Sequence, residues 1–300
     1  MKYMKTERNI LIAFILNLFF SLFELFGGLL TNSISIISDA IHDMGDSLSI
    51  GISLILEKIS KKEPDNIYTY GYSRYSVIGA TITTIILIVS GILVIINASN
   101  RLINPKPINY DGMIIFALFG VIINFIAAYT TSKGESLNQK AVNLHMLEDV
   151  LGWVIVLLAS IIIKETSLVI IDPIMSIIVS IFIIVNSIRN LKTILDLFLE
   201  KIPNNINIDN LKKELLKIED IKDIHHIHIW SLDGINNYAT MHIVINKDNK
   251  HIKDNVRKKL KHYNINHVTI EIEHLDEKCK EVSCHIDNTK ETSHSHHHHH

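Results

Sequence analysis

The sequence predicts an α-helical membrane protein with six transmembrane helices, followed by a small α+β domain in water. The chain has 300 residues, of which 48% are hydrophobic, and its mean hydropathy is +0.26. These values are high for a soluble protein. The apolar residues are concentrated in six runs before residue 204, and from there Lys, Glu, Asp and Asn become frequent. The chain is therefore predicted to be part membrane-embedded and part water-soluble.

The six apolar runs have the length needed to cross a bilayer. They cover residues 10–30, 34–56, 77–96, 113–129, 141–163 and 168–188. A crossing helix needs about 20 residues, and tilting accommodates about 17–25. Buried helices of a soluble protein are the alternative, which six such runs with short links disfavour. No cleavable signal is predicted, because the first run is too long and has no small-residue cleavage site.

The basic residues predict the orientation, since they accumulate on the cytoplasmic side. One side carries Lys2, Lys5, Arg8, Lys58, Lys61, Lys62, Arg74, Lys133 and Lys140, whereas the other carries only Arg101, Lys106 and Lys164. Both termini are therefore expected in the cytoplasm. The Ile-, Lys- and Asn-rich composition is compatible with an AT-rich bacterial genome, so the expected location is a bacterial inner membrane.

Residues 204–276 are predicted to form an αββαβ domain of ferredoxin-like or metallochaperone-like type. The expected helices are 211–218 and 248–263, with Asp209 as a cap of the first, and the expected strands are 224–231, 238–245 and 267–273. The transmembrane domain is assigned to residues 1–203. Residues 277–300 contain Cys279, Cys284 and the terminal histidines and are expected to be a disordered tail.

Two apolar runs contain the same motif, His-x-x-x-Asp, as His42/Asp46 and His145/Asp149. Helical positions four apart lie about 40° apart on one face. Two such helices side by side would bring two imidazoles and two carboxylates together, a ligand set for a tetrahedral divalent metal. The alternative is that these groups only pair with one another to hold the bundle. It is less favoured because the pattern occurs twice.

Neighbouring positions extend this predicted site. Asp39 and Asp43 fall on the same side of their helix and are interpreted as helpers at the mouth of the site, with open roles. Gly152 shares a face with His145 and Asp149, which would permit close helix approach there.

The ligand types constrain the ion. Two nitrogens and two carboxylate oxygens suit Zn²⁺, whereas Mn²⁺ and Mg²⁺ favour all-oxygen sites, and Co²⁺ and Cd²⁺ fit by ligand type. Metal and protons compete for the same groups. A site that faces each side in turn would exchange metal for protons, and an inward proton gradient would then drive metal out of the cytoplasm.

Several motifs in order resemble the cation diffusion facilitator family, and its zinc, cobalt and cadmium efflux branch in particular. They are Glu-Leu-Phe-Gly-Gly at 24–28, the segment 32–42, Tyr-Gly-Tyr-Ser-Arg at 70–74, the segment 141–152, Asp172-Pro173, and His-His-Ile-His-Ile-Trp at 225–230. The resemblance implies a homodimeric divalent-metal/proton antiporter rather than an enzyme. Its transported Zn²⁺ would bind His42, Asp46, His145 and Asp149 during alternating access, and nucleic acid is not an expected partner.

The resemblance also implies a regulatory metal site in the cytoplasmic domain, at His225, His242, Glu271 and Glu273. Two of these positions, both Glu here, hold His and Asp in some members. Strand alternation predicts that His226 and His228 lie on one face and His225 on the other. The alternative is that these histidines pack at a dimer interface or in solvent.

Three other functions remain open at this stage. An intramembrane metalloenzyme is disfavoured, because His-Glu-x-x-His is absent and four protein ligands leave no open coordination position. A membrane-anchored metal sensor would use the cytoplasmic domain alone. A transporter with Fe²⁺, Co²⁺ or Mn²⁺ as its main cargo would keep the same fold.

Overall fold

The computed structural model describes residues 2–31, 34–104, 110–134, 136–166, 170–247 and 251–277. Cys279, Cys284 and the histidine tail lie outside these ranges. The chain divides into two compact units, Met1–Lys201 with Leu232–Ile235, and Ile202–Ser231 with Asn236–His300.

The first unit contains six long helices. Their bounds are α1 Lys2–Thr31, α2 Ile34–Ile59, α3 Arg74–Ile103, α4 Tyr110–Thr131, α5 Leu137–Thr166 and α6 Ile171–Phe198. In the described residues, all except α2 contain a segment long and apolar enough to cross a membrane. The 26 residues of α2 span about 39 Å, so its length suffices. Its first half carries three acidic residues, Asp39, Asp43 and Asp46.

Clusters of buried apolar residues hold the helix bundle together, and large apolar side chains are exposed on its outside. One core cluster joins α1, α2, α4 and α5 through residues such as Ile10, Ile50 and Met146. A second cluster joins α3, α5 and α6. Outward-facing residues are large and apolar, with Phe19 61% and Phe125 58% exposed. This pattern is expected where lipid, and not water, surrounds the helices.

Within the described residues, no close helix contact is seen at Gly152. A Cβ atom added to Gly152 would meet no described atom within 4 Å. The tight contact lies instead at Gly79 on α3, where an added Cβ would lie 2.8 Å from Oδ1 of Asn138 on α5. Helical spacing identifies which face a glycine occupies, but the neighbouring helix decides whether that face is in close contact.

The second unit has the predicted αββαβ order. Its elements are α7 Ile208–Leu215, β1 Ile221–Ser231, β2 Asn237–Ile245, α8 Ile252–Leu260, a 3₁₀ turn at Lys261–Tyr263, and β3 Ile265–His274. The sheet order is β1-β2-β3, with β1 and β2 antiparallel and β2 and β3 parallel. The parallel pair follows from α8, which forms the crossover between β2 and β3. The fold class predicted from the sequence is confirmed.

The predicted cap of the first helix in this unit is corrected. The cap is Asn207, whose side-chain oxygen accepts a hydrogen bond from the backbone N–H of Asn210 at 2.9 Å. Asp209 lies in the first turn, where its charge is favourable next to the positive end of the helix dipole. Asn and Asp are both good caps, so residue type alone did not separate them.

Candidate metal centres

Three predicted ligands meet inside the helix bundle. Asp46 lies on α2, and His145 and Asp149 lie four residues apart on one face of α5. Each residue offers one ligand atom, and these atoms all lie within 4.8 Å of one another. Nε2 of His145 is 3.7 Å from Oδ2 of Asp46. This separation is close to that of two ligands sharing one metal ion, because Zn–N and Zn–O bonds are each about 2.0–2.2 Å long.

This bundle cluster (Asp46, His145, Asp149) is buried in the described protein. His145 is 2% exposed and Asp46 is 6% exposed. Among the described residues, neither ring nitrogen of His145 has a hydrogen-bond partner. A buried polar atom without a partner costs about 1–3 kcal/mol. A bound cation, or a proton shared with Asp46, would remove this cost, so the chemistry of the cluster fits metal or proton binding.

The remaining predicted ligands of this site lie on α2. His42 is one turn before Asp46 on the same helix face, but its side chain and that of Asp39 lie outside the described part of the chain. Asp43 is partly buried and is not a member of the cluster. The structure therefore brings three of the four predicted ligands together, namely Asp46, His145 and Asp149. Asp43, which was predicted as a helper, lies outside this cluster.

A second buried polar group lies further along the same helices. Oε2 of Glu57 accepts hydrogen bonds from Ser76 Oγ at 2.6 Å and from Asn138 Nδ2 at 3.2 Å. Ser53 donates its hydroxyl hydrogen to Asn138 Oδ1 and accepts Asn138 Nδ2 at its backbone oxygen, at 2.9 Å. These residues of α2, α3 and α5 are buried and are called the Glu57 network below.

The Glu57 network has a regular relation to the bundle cluster. Ser53 follows Asp46 by seven residues on α2, and Asn138 precedes His145 by seven residues on α5. Seven residues are about 10.5 Å along the axis and return to nearly the same face. Glu57 was not predicted from the sequence. The available signal was a carboxylate eleven residues after Asp46, again on the same face.

A second cluster of metal-ligand type lies in the α+β unit. His225 on β1, His242 on β2 and Glu273 on β3 offer ligand atoms within 4.8 Å of one another. Glu273 links the two histidines, with Oε1 2.6 Å from His242 Nδ1 and Oε2 3.3 Å from His225 Nε2. Glu271 also contacts His242, at 3.2 Å, from a side chain that is 66% exposed. All four predicted residues therefore lie together on the sheet.

The predicted alternation of the β1 histidines holds only in part: the rings of His226 and His228 lie together, with centroids 5.4 Å apart, but His225 is not separated from His226. The β1–β2 register shifts between His225 and His228, and His226 has a φ of 53°. An extra residue in a strand breaks alternation locally. As a result the rings of both His225 and His226 lie near His242, with centroids 5.4 and 4.8 Å away. The bulge thus directs two adjacent histidines toward one place.

An acidic side chain flanks this sheet cluster. Oδ2 of Asp223 lies 3.6 Å from His225 Nδ1, and Lys212 pairs with Asp223 Oδ1 at 2.8 Å. Partial burial acts to raise the pKa of Asp223. Hydrogen bonds from Lys212 and from the Ile224 N–H outweigh burial, so the pKa is lowered from 3.8. Asp223 therefore supplies a negative charge next to His225 at neutral pH.

Asp65, in the loop before α3, forms hydrogen bonds within that loop. It accepts hydrogen bonds from the backbone N–H groups of Ile67 and Tyr68 and from the Tyr72 hydroxyl. The backbone bond from Tyr68, followed by the Tyr72 hydroxyl, lowers the pKa of Asp65. Its bond to Asp65 raises the pKa of Tyr72 to about 12. The carboxylate stabilises the loop through these three hydrogen bonds.

Six long helices, a metal-ligand cluster between two of them and a small α+β domain define a polytopic membrane protein of the metal-handling class. Family models agree with this class. The model described as the cation efflux transmembrane domain matches residues 10–199, and the model described as the cation efflux protein cytoplasmic domain matches residues 203–275. The chain belongs to the cation efflux family, an integral-membrane family of transporters and not of enzymes.

Curated relatives match nearly the whole chain. A zinc transporter ZitB of Yersinia pseudotuberculosis is 32% identical, covering 98% of this chain and 95% of the relative. A cadmium, cobalt and zinc/H(+)-K(+) antiporter of Bacillus subtilis is 30% identical, covering 97% of each. A metal cation efflux system protein, CzcD, of Cupriavidus metallidurans is 30% identical, covering 89% of this chain and 86% of the relative.

Proposed function

We propose that this protein exports Zn²⁺ from the cytoplasm in exchange for protons, with Cd²⁺ and Co²⁺ as further substrates. The observation that carries the proposal is the buried cluster of Asp46, His145 and Asp149 between two helices of a cation efflux transmembrane domain. The names of the relatives, zinc transporter and cadmium, cobalt and zinc antiporter, support these substrates.

The proposed transport site consists of the bundle cluster and His42. Zn²⁺ accepts two imidazole nitrogens and two carboxylate oxygens in a tetrahedral arrangement. Asp39 and Asp43 would attract the cation toward this site without binding it in the final geometry. Imidazole must be neutral to bind metal, so a proton on His145 and a metal ion in the cluster exclude each other.

This exclusion couples metal and proton movement. When metal leaves, His145 takes up a proton, and the resulting imidazolium faces the Asp46 carboxylate at 3.7 Å. The ion pair replaces the lost metal contacts and compensates the buried charge. When metal returns, the proton must leave. Because the same nitrogen serves both ions, at least one proton is exchanged for each metal.

Access to the site would alternate between the two sides of the membrane. The ends of α2 and α5 at Ile59 and Leu137 face the cytoplasm in the proposed orientation, with both termini inside. The Glu57 network lies between the bundle cluster and this side, where it connects α2, α3 and α5. Metal from the cytoplasm would enter only after these contacts separate, so the network acts as a cytoplasmic latch.

The α+β domain would regulate this transporter and hold two copies together. Zn²⁺ is proposed to bind His225, His242 and Glu273, with Glu271 as an adjacent carboxylate, and to act there as a regulatory ion. The proposed assembly is a homodimer in a bacterial inner membrane. Residues 1–203 form the transport domain and 204–276 the cytoplasmic domain in this proposal, and residues 278–300 lie outside the described part of the chain.

The test is metal flux in proteoliposomes with an imposed pH gradient. Zn²⁺, Cd²⁺ and Co²⁺ should cross the membrane in the direction opposite to the proton flux, whereas Mn²⁺ and Fe²⁺ should move slowly. Proton movement is followed in the same vesicles with an entrapped pH dye. Zinc flux without opposing proton flux would rule out antiport, and absence of flux for every metal would favour a sensor.

A further inference from the structure

A cavity of about 310 Å³, lined mostly by polar residues, opens between the end of α4, the start of α5 and the second half of α6. The α6 wall is formed by Asn186, Arg189, Asn190 and Thr193. Their spacing of i, i+3, i+4 and i+7 places all four on one face of the helix. Lys140 and Asn143 of α5 contribute to the opposite wall.

The cavity lies at the level of the lipid headgroups. Lys140 immediately precedes the fifth apolar run, 141–163, and Arg189 immediately follows the sixth, 168–188. The α4 residue that lines it, Thr131, comes just after the fourth run ends at residue 129. The fourth run ends, the fifth begins and the sixth ends beside this cavity. The boundary between apolar and polar sequence therefore lies at the cavity in three separate helices.

The charged residues described in the cavity wall are all positive. Lys140 and Arg189 are its two cations, and none of the described residues that line it is acidic. In the described part of the protein, neither cation has a carboxylate within ion-pair distance. Arg74 and Lys201, by contrast, pair with Glu200 and Asp196 elsewhere in the same unit. The cavity thus offers two cations to an external anion.

The neutral walls are already held in place by the protein. Asn190 Nδ2 donates to Thr84 Oγ1 at 2.9 Å, and Asn186 Nδ2 donates to the backbone oxygen of Phe182 at 2.9 Å. Each of these amide groups keeps one further N–H. Asn143 is anchored to Thr131 Oγ1 at 3.0 Å. A fixed shape with spare donors suits an acceptor-only ligand such as a phosphate diester.

We propose that this cavity binds the phosphate headgroup of an anionic phospholipid, represented by phosphatidylglycerol. Arg189 would hold two phosphate oxygens with its planar guanidinium, and Lys140 would supply a second positive charge. Basic cavities between membrane helices at the headgroup level are suited to such lipids. Phosphatidylcholine is disfavoured, because its choline cation would face the same two positive charges.

The experiment titrates the full-length, delipidated protein in detergent with phosphatidylglycerol, phosphatidylcholine or inorganic phosphate, and counts bound molecules by native mass spectrometry. Each basic residue near lipid contributes about 1 kcal/mol, so Arg189→Gln should weaken phosphatidylglycerol binding about fivefold and the double variant with Lys140→Gln about 25-fold. Arg189→Lys should retain most of the binding. Lys192→Gln is the matched control, since Lys192 is an exposed cation on α6 that does not line the cavity.

Three results would overturn the proposal. Unchanged binding in the double variant would remove the cavity as the site, and an equal loss in Lys192→Gln would reveal only diffuse surface charge. Displacement of phosphatidylglycerol by equimolar inorganic phosphate would mean that a free anion is the ligand. If Arg189→Gln does not fold, Lys140→Gln alone tests the same prediction. Because binding and not transport is measured, failure here leaves the metal-export proposal untouched.

Discussion

Glu57 on α2 and Ser76 on α3 are joined by a buried hydrogen bond, in which Ser76 Oγ donates to Glu57 Oε2 at 2.6 Å. Asn138 of α5 donates to the same oxygen, so one carboxylate connects three helices. Two of these helices carry the bundle cluster. The Glu57 carboxylate therefore connects the two helices that carry the metal ligands to α3. It does so where α2 ends and α5 begins.

Weakening this contact should open the proposed cytoplasmic entrance. Loss of a hydrogen bond to a charged group shifts an equilibrium by about 1.5–3 kcal/mol, or roughly tenfold or more. Access to the proposed entrance is measured by labelling a single cysteine. Cys279 and Cys284 are replaced by Ser, and the reporter cysteine replaces Ser49, which lies between Asp46 and Ser53 on the same face of α2. In inverted vesicles, Ser76→Ala should raise its labelling rate about tenfold.

The matched control is Ser90→Ala, because Ser90 on α3 donates only to the backbone oxygen of Leu87 in its own helix. Labelling in this variant should equal that of the parent. Equal labelling in Ser76→Ala and the parent would contradict a latch at Glu57.

Removing His145 should abolish zinc transport while the protein remains folded. The imidazole is buried beside two carboxylates, and its loss removes one of the four proposed metal ligands. Zinc flux in His145→Ala is expected to fall at least about 100-fold, beyond the 10–100-fold effects of groups that only support ligands. The control is Thr83→Val, a buried isosteric change on α3. Preserved flux in His145→Ala would remove this residue from the transport site.

The sheet cluster should bind zinc separately from the membrane site. In an Asp149→Asn background, His242→Gln is expected to lower the number of zinc ions bound per chain by one, measured by equilibrium dialysis of the purified protein. His242 contacts both Glu271 and Glu273, so its loss removes the centre of the cluster. His267→Gln on β3 serves as the control and should leave the stoichiometry unchanged. An unchanged stoichiometry in His242→Gln would refute this site.

Glycine is required at position 79 but not at 152. A methyl group at Gly79 would lie 2.8 Å from Asn138 Oδ1, so Gly79→Ala should destabilise the bundle by about 1–3 kcal/mol, as overpacking does. A methyl group at Gly152 would meet no described atom within 4 Å, so Gly152→Ala should be neutral or stabilising by about 0.5–1 kcal/mol, because alanine favours helix. Thermal unfolding in detergent compares the two. Equal unfolding temperatures would show that α3 and α5 adapt easily at this contact.

Glu214 gives a pH-dependent contribution to the stability of the α+β domain. Hydrogen bonds from Lys217 and Lys259 lower its pKa from 4.5 to about 2. A lowered carboxyl pKa stabilises the folded state above the unfolded pKa, and this contribution is lost as pH falls toward 2. The stability difference between the wild type and Glu214→Gln should therefore be full above pH 5 and shrink below pH 4. A difference that is constant across this range would contradict the assignment.

Much of the fold followed from local pattern. Runs of apolar residues long enough to cross a bilayer predicted the helices, and alternating β-branched residues predicted the three strands. The errors came from local ambiguity. Asn207 and Asp209 are both competent caps, and only the observed bond to Asn210 separates them.

The candidate site was predictable for the same reason. His145 and Asp149 share a face because four residues complete about one helical turn, whatever the helix packs against. Glu57 was not predicted, since its importance depends on Ser76 and Asn138, which approach from two other helices. The cavity at Arg189 also escaped prediction, because its walls come from three separate helices.

The helices, the strands and the residues that share one face of an element were predictable from the sequence, because they depend on backbone geometry and hydropathy. Tertiary packing sets which faces meet. It joined Asp46 to His145, connected α2, α3 and α5 through Glu57, and turned His225 and His226 toward His242 through a bulge in β1. Contacts between residues distant in the chain depend on how whole elements pack, and no local pattern encodes that packing.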